Sequence, residues 1–489
     1  MMPRGPTSKL CLYESRARDA GGARRHTFYG CMSAPWSSVA LRNALGAAGL
    51  GFLRHGLGAI ERILPHTETR SWTLSRGIDP SAAAVTWGSS NRRELSLHVT
   101  VQAGGGFTLE GVLRRRTVSV GVGNAPRTID LRERHICEAV VETIGRVLAS
   151  NIVAQPDALS AIAEAFDESI ISSHLVSWHG LSLDLASLLR TVRTLSEQSY
   201  ENKSLTFACI VDPKSREEPG AGLEFPEGYF GKKRYRALSD GYHTAYEISG
   251  RGRLVGFVAL QDTRSALGRG SYFPEWARRI VKAAGQSGVA ISLTRNGDVL
   301  VFDGRSLRFT YRAGRWQYWN HAHLIHILSS AVRVQHVPKQ VVSRLVGSVY
   351  RDALDVSFRR SGGLFVLLRN QKKLHELVRA GDAAGDHNIT PLDREFRRAL
   401  TGGQRKGLMS RAVLVELAAL DGAIVLSSTG QILAYAAVLA PKKRGRVRAE
   451  EGSRTKAAVG ASNYGLAIKV SSDGDITAYH KGKKLISIV

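Results

Sequence analysis

Asp421-Gly422-Ala423-Ile424-Val425-Leu426 is the stretch on which the reading of this chain turns. An apolar run ending at Ala419-Leu420 leads into it, so the aspartate stands at the mouth of a buried strand that follows a helix. Further on, Gly452-Ser453-Arg454-Thr455-Lys456-Ala457-Ala458 reads as a helix start. Basic residues in a first turn oppose the helix dipole, so their presence points to an anionic ligand. Each segment also has a plainer reading. Asp-Gly recurs in turns, and Ser453 would serve as an N-cap ahead of a solvated basic turn.

The surrounding pattern fits these two words into one domain. Residues 392–400 read as an amphipathic helix, and 410–420 as a second helix that delivers the chain into the Asp421 strand. Gly430 makes a turn, 432–439 runs back as a strand, and 442–448 is a basic loop. After the Ser453 helix come a strand at 465–470, a turn at Asp473-Gly474 and a strand at 476–479. This order resembles the diadenylate cyclase domain family, which carries an Asp-Gly-Ala motif at a strand start and a Gly-Thr-Arg-His-Arg motif at a helix start. That family joins two ATP molecules into cyclic di-AMP with release of pyrophosphate.

The resemblance covers 335–489 and implies an α/β (α+β) domain with a mixed sheet flanked by helices. It implies that Asp421 binds a divalent metal, Mg or Mn, and activates a ribose 3′-hydroxyl. Gly422, Ala423, Leu439 and Gly452 would line the nucleotide, and Ser453, Arg454, Thr455 and Lys456 would hold phosphates. Two such sites must face each other, so the resemblance also implies a homo-oligomer. The chain departs from the pattern twice. Arg454-Thr455-Lys456 replaces Arg-His-Arg, which exchanges a bidentate guanidinium fork for a point charge. Ser471-Ser472-Asp473 replaces Ser-Glu-Glu, so Asp473 either substitutes as a metal ligand or is the acidic half of an Asp-Gly turn. A nucleotide-sensing protein of the same fold, without catalysis, is the alternative.

With 489 residues, 43% of them hydrophobic, the chain is long enough for two or three domains with ordinary cores. A formal net charge of +26 implies anionic partners: nucleotides, an acidic membrane face, or nucleic acid bound without sequence specificity as in a basic regulator. Cys11, Cys31, Cys137 and Cys209 show no metal spacing and fit reduced thiols of a cytoplasmic protein. Segment 40–60 is interrupted by Arg42, Arg54 and His55 and fails as a membrane span. Residues 1–31 read as a disordered basic tail, 32–155 as a small α+β domain, and 156–325 as an α/β region. The two together resemble the sensor domains, of unknown ligand, that precede such cyclases. Lys232-Lys233-Arg234-Tyr235-Arg236 reads as a solvated loop or a nucleic-acid contact, and Trp316, Trp319, His321, His323 and His326 as structural rather than metal-binding.

One pattern needs no family. Gly288-Val289-Ala290-Ile291, Gly297-Asp298, Phe302 and Leu307 recur as Gly465-Leu466-Ala467-Ile468, Gly474-Asp475, Tyr479 and Leu485, and Lys282-Ala283-Ala284 recurs as Lys456-Ala457-Ala458. Either any glycine-rich hairpin after a helix looks like this, or the middle of the chain holds a degenerate second copy of the nucleotide-binding hairpin.

Overall fold

The computed structural model describes residues 155–200, 203–215, 238–261, 270–332, 337–379, 381–382, 408–420, 422–442 and 452–488. It also describes strand segments 8–10, 14–18, 24–28, 69–76, 83–89, 93–101 and 107–115, with scattered helical positions between 52 and 64 and between 132 and 147. Asp421, the helix expected at 392–400, the Lys232–Arg236 run and most of the basic loop after Lys442 lie outside these residues. The chain divides into two compact units: Met1–Ser265 with Arg279–Trp319, and Ala266–Arg278 with Asn320–Val489. The fold is mixed α/β, with mixed sheets flanked by helices.

The first unit opens with a seven-stranded sheet of β1 (Ser8–Leu10), β2 (Glu14–Arg18), β3 (Arg24–Phe28), β4 (Thr69–Arg76), β5 (Ala83–Ser89), β6 (Arg93–Val101) and β7 (Phe107–Arg115). Three of its strands fall in the segment expected to be a tail. Helix α1 (Pro156–Glu164) starts on a proline, whose missing N–H costs nothing there. Helix α2 (Phe166–His179) stops at Gly180, whose φ of 65° is a left-handed cap. Asp184 caps α3 (Leu185–Ser196) by accepting from Ser187 N at 3.0 Å. Strands β8 (Ser199–Tyr200) and β9 (Lys203–Ser204) form a short ribbon. The unit's second sheet holds β10 (Phe207–Asp212), β11 (Thr244–Ser249), β12 (Leu254–Ala259), β13 (Val289–Leu293), β14 (Val299–Asp303), β15 (Ser306–Arg312) and β16 (Arg315–Tyr318), in the order β12-β11-β10-β13-β14-β15-β16. Helix α4 (Arg278–Ala284) precedes β13. Strands β13 and β14 are wholly buried and mostly apolar, as central strands of a sheet are, with Ser292 and Asp303 as their buried polar residues.

The second unit carries α5 (His321–Ala331), α6 (Lys339–Arg359), β17 (Gly363–Leu368), α7 (Leu408–Ala419), β18 (Ala423–Leu426), β19 (Ile432–Ala437), α8 (Ser453–Ala461), β20 (Gly465–Val470), β21 (Ile476–His480) and β22 (Lys483–Ile488). Its sheet order is β19-β18-β17-β20-β21-β22. Lys483 and Lys484 are exposed on the edge strand β22, a common protection against strand addition. In α5, His321 Nδ1 lies 2.9 Å from the Tyr350 hydroxyl and its ring stacks on Tyr272, the structural role expected of it.

The two mixed sheets are built to one plan. Strand β10 runs parallel to β11 and antiparallel to β13, as β17 does to β18 and β20. The turns agree in detail. Ser249 N donates to Arg253 O at 2.8 Å and Ser427 N to Gln431 O at 2.8 Å, each over a glycine of positive φ, Gly252 at 87° and Gly430 at 90°. Asp298 N donates to Thr294 Oγ1 at 3.1 Å, and Asp475 N to Ser471 Oγ at 3.0 Å. The next hairpins turn on Gly304-Arg305 and Lys481-Gly482, all four residues at positive φ as a type I′ turn demands. A bulge follows in both, after Val301 and after Ala478. A generic hairpin requires none of this agreement, so the repeat seen in the sequence is one end of a duplicated fold. The lysine match is out of register: α4 ends at Ala284 and α8 at Ala461, each four residues ahead of its matching glycine, so Arg279 and not Lys282 stands opposite Lys456.

Candidate functional site

The register of the second unit's sheet decides which motif residues meet. Gly363 pairs with Val470 and Phe365 with Ile424, so the start of β17, the start of β18 and the end of β20 share one edge of the sheet. Helix α8 packs along β20, and Arg454 and Thr455 place its first turn beside the same edge. Arg454 shows this directly. It lies so close over Gly362 that a Cβ there would sit 2.5 Å from Arg454 Nη1, with Ser472 N nearby. Gly422-Ala423, Arg454 and the Ser472-Asp473 turn are thereby gathered at one edge.

Gly422 is required by geometry. Its φ is 142°, and a Cβ on it would stand 2.4 Å from the Ala436 carbonyl carbon. The close approach arises because β19 bulges opposite, with Ala436 itself at φ 47°. Ala423 is buried and pairs with Ala437. Beyond Ala437, Leu439 bridges Val378 and Ala440 N donates to Leu377 O at 2.8 Å. Leu439 and Ala457 pack against the same apolar cluster as Ala423, giving the edge a hydrophobic wall.

The helix start is rich in cations. Among the described residues no side chain caps α8 at Gly452, and no acidic residue occupies its first turn. Gly452 O accepts from Thr455 N at 3.0 Å and Lys456 N at 3.1 Å. Ser453 and Lys456 are exposed, while Arg454 and Thr455 are half-buried. Thr455 Oγ1 accepts from Lys469 Nζ at 3.0 Å, which brings a further cation to this face. The sequence reading missed Lys469, although a lone lysine in the apolar strand Gly465–Val470 is a signal.

Asp473 sits in a tight turn. Gly474 N donates to Ser471 O at 3.0 Å and Gly474 has φ 90°, so the turn reading of Asp-Gly holds in geometry. Arg360, in the left-handed cap of α6, donates to Asp473 O, and the Ser357 hydroxyl donates to Gly474 O. These partners fix where the Asp473 backbone stands and were not read from the sequence.

Helix α7, which leads into position 421, is anchored by charge. Arg411 Nε lies 2.6 Å from Asp355 Oδ2 and its Nη1 donates to Glu275 Oε2 at 2.8 Å. Burial pushes the Asp355 carboxyl up to about 6 despite the Arg411 guanidinium, which pulls the other way. Among the described residues no three His, Cys, Asp or Glu gather as a metal cage, and no helix is long and apolar enough to cross a membrane.

No protein-family model matches the chain, and no curated protein does. Among solved structures, it is similar to one titled the crystal structure of the hypothetical membrane spanning protein from Bacillus cereus. That likeness has 20% identity and a TM-score of 0.20, over 35% of this chain and 76% of that one. At that TM-score it bears on neither fold nor function.

Proposed function

We propose that the second unit is a diadenylate-cyclase-like nucleotidyltransferase that condenses two ATP into cyclic di-AMP and pyrophosphate, under control of the first unit as a sensor of an unidentified ligand. The observation that carries this reading is the gathering of Gly422-Ala423, the uncapped start of α8 with Arg454, and the Ser472-Asp473 turn at one sheet edge. Backbone donors, a guanidinium and two ammonium groups make that edge suited to a triphosphate. The apolar wall of Leu439 and Ala457 suits a base.

A Mg or Mn ion suits this donor set, because such ions take one or two carboxylates and complete their shell with water and substrate phosphates. Asp421 and Asp473 are the carboxylates that would hold it, and the ion would polarise the α-phosphate and lower the pKa of the attacking hydroxyl. The chain's own part is positional. Arg454 and Lys456 orient phosphates, and Gly422 lets β18 and β19 approach closely beside the nucleotide. The Asp421 carboxylate accepts the proton of the 3′-hydroxyl that attacks the other nucleotide's α-phosphate. Two sites face each other in a homo-oligomer of cytoplasmic protein.

Binding without turnover is the second reading, favoured by the Asp473 turn, which holds a carboxylate where the family has two glutamates. Titration of ATP into the wild-type chain and Arg454→Ala tests the shared claim. Loss of a charge-assisted phosphate contact weakens binding by about 10- to 100-fold. Unchanged affinity removes the site from this edge.

A further inference from the structure

The duplicated fold lets each position of the candidate site be located in the first copy. Pairing Cys209↔Tyr246 with Phe365↔Ile424 sets His243 opposite Asp421 and Thr244 opposite Gly422. The turns Thr294–Asp298 and Ser471–Asp475 set Arg295 opposite Ser472 and Asn296 opposite Asp473. The helix ends set Arg279 opposite Lys456. Both carboxylate positions are thus lost, to an imidazole and an amide. The cation opposite Lys456 is kept and one is gained at Arg295, while Ala277 stands opposite Arg454 and Ser292 opposite Lys469.

The first copy also brings these residues together in space. Arg279 Nη1 donates to Tyr242 O at 3.4 Å, and Arg295 lies over the Tyr242 ring at 5.7 Å. Asp240 is occupied in holding the loop. It accepts from Tyr242 N at 2.9 Å, His243 N at 2.7 Å and Thr244 N at 3.2 Å, and its Oδ2 meets His243 Nδ1 at 2.5 Å. Gly241, at φ 75°, presses the loop onto the sheet, where a Cβ would meet Ser292 Oγ at 3.0 Å. The result is a fixed loop with two guanidinium groups and an exposed imidazole at the edge where the second copy carries its phosphate-binding residues.

We propose that the first copy holds a second, non-catalytic nucleoside triphosphate site, formed by Tyr242, His243, Arg279 and Arg295. The assignment rests on reading the matching edge of the second copy as a nucleotide site. With no carboxylate at either acidic position of that edge, this site binds phosphates through cations and lacks the pair of carboxylates that would hold a metal in the second copy. Its occupancy is the signal that the first unit senses.

Equilibrium dialysis of the full chain with ATP in EDTA tests this. Two ATP bind per wild-type chain. Arg279→Ala with Arg295→Ala removes one, its affinity falling about 100-fold, while Arg279→Lys with Arg295→Lys retains it. Arg454→Ala weakens the other. One ATP per wild-type chain, abolished by Arg454→Ala and untouched by the double alanine variant, overturns the first-copy site and leaves the second-copy reading standing. One ATP that survives Arg454→Ala and vanishes in the double variant does the reverse. Pyrophosphate binding the first copy as tightly as ATP overturns its assignment to a nucleotide.

Discussion

Replacing Gly422 by alanine tests whether the candidate edge depends on the close approach of β18 and β19. The added Cβ would lie 2.4 Å from the Ala436 carbonyl carbon and 2.6 Å from its oxygen. Ordinary contact begins near 3.4 Å, so backbone must move by about an ångström on a side already bulged at Ala436. Overpacking of this kind costs about 1–3 kcal/mol, and holding alanine at φ 142° adds about 1–3 kcal/mol more. The strand pair therefore loses roughly 3–5 kcal/mol, enough to raise local opening by a factor of 10² or more. Gly256→Ala on β12 is the control, because nothing stands within 4 Å of its Cβ and its φ is ordinary. Native-state hydrogen exchange reads the result. Amides of the Val425↔Ala434 pairing exchange at least tenfold faster in Gly422→Ala, ATP binding weakens in parallel, and Gly256→Ala matches wild type. Wild-type exchange in Gly422→Ala refutes the reasoning.

His174 is buried against His135, Trp178 and Phe309, and among the described residues neither ring nitrogen has a hydrogen-bond partner. Burial, then Arg132, hold it down to about 3, so the folded state stays neutral while the unfolded imidazole takes a proton below about 6.5. Its stabilisation is present above that pH and lost as pH falls toward 3, by roughly 3 kcal/mol between pH 7 and 4.5. His174→Phe flattens that dependence in denaturant titrations, and parallel pH slopes contradict it. Asp355 acts with opposite sign: its carboxyl is raised, so stability is full below about pH 4 and lost as pH rises through about 6. Asp355→Asn removes up to about 3 kcal/mol of that decline, read as the wild-type minus variant difference at pH 4 and pH 7. Ser472→Glu, which adds a carboxylate beside the Asp473 turn, raises turnover more than Thr455→His with Lys456→Arg, because a missing ligand to a charged ion costs more than exchanging one phosphate-binding cation for another. Product formation rates of the two variants decide it.

Much of the second unit's sheet is legible because its strands are short apolar runs between punctuated turns. The strand at Gly465–Val470 is read to the residue, ahead of the turn at Asp473-Gly474, and α7 follows from its apolar periodicity. Helix α6 and strand β17 escaped notice. Gly362-Gly363 ahead of Leu364 suggests a loop, and only the register with β20 makes Gly363 a strand residue. The duplication is half visible for a related reason. The two copies share backbone geometry more than side chains: Gly304-Arg305 and Lys481-Gly482 make the same turn with the glycine in opposite places. At the candidate site, Arg454 and Gly422 were named from the family resemblance. Lys469, Arg360 and Gly362 were not, because pairing brings them in from elements distant in sequence.

The most direct test of the central claim is product analysis. Purified full-length chain is incubated with ATP and Mn or Mg, and the mixture is separated by chromatography with authentic cyclic di-AMP as standard. Wild type yields cyclic di-AMP and pyrophosphate, and well-folded Asp421→Asn loses at least about 10²-fold in product. Absence of cyclic di-AMP from wild type that binds ATP, with Ser472→Glu equally silent, contradicts the cyclase reading.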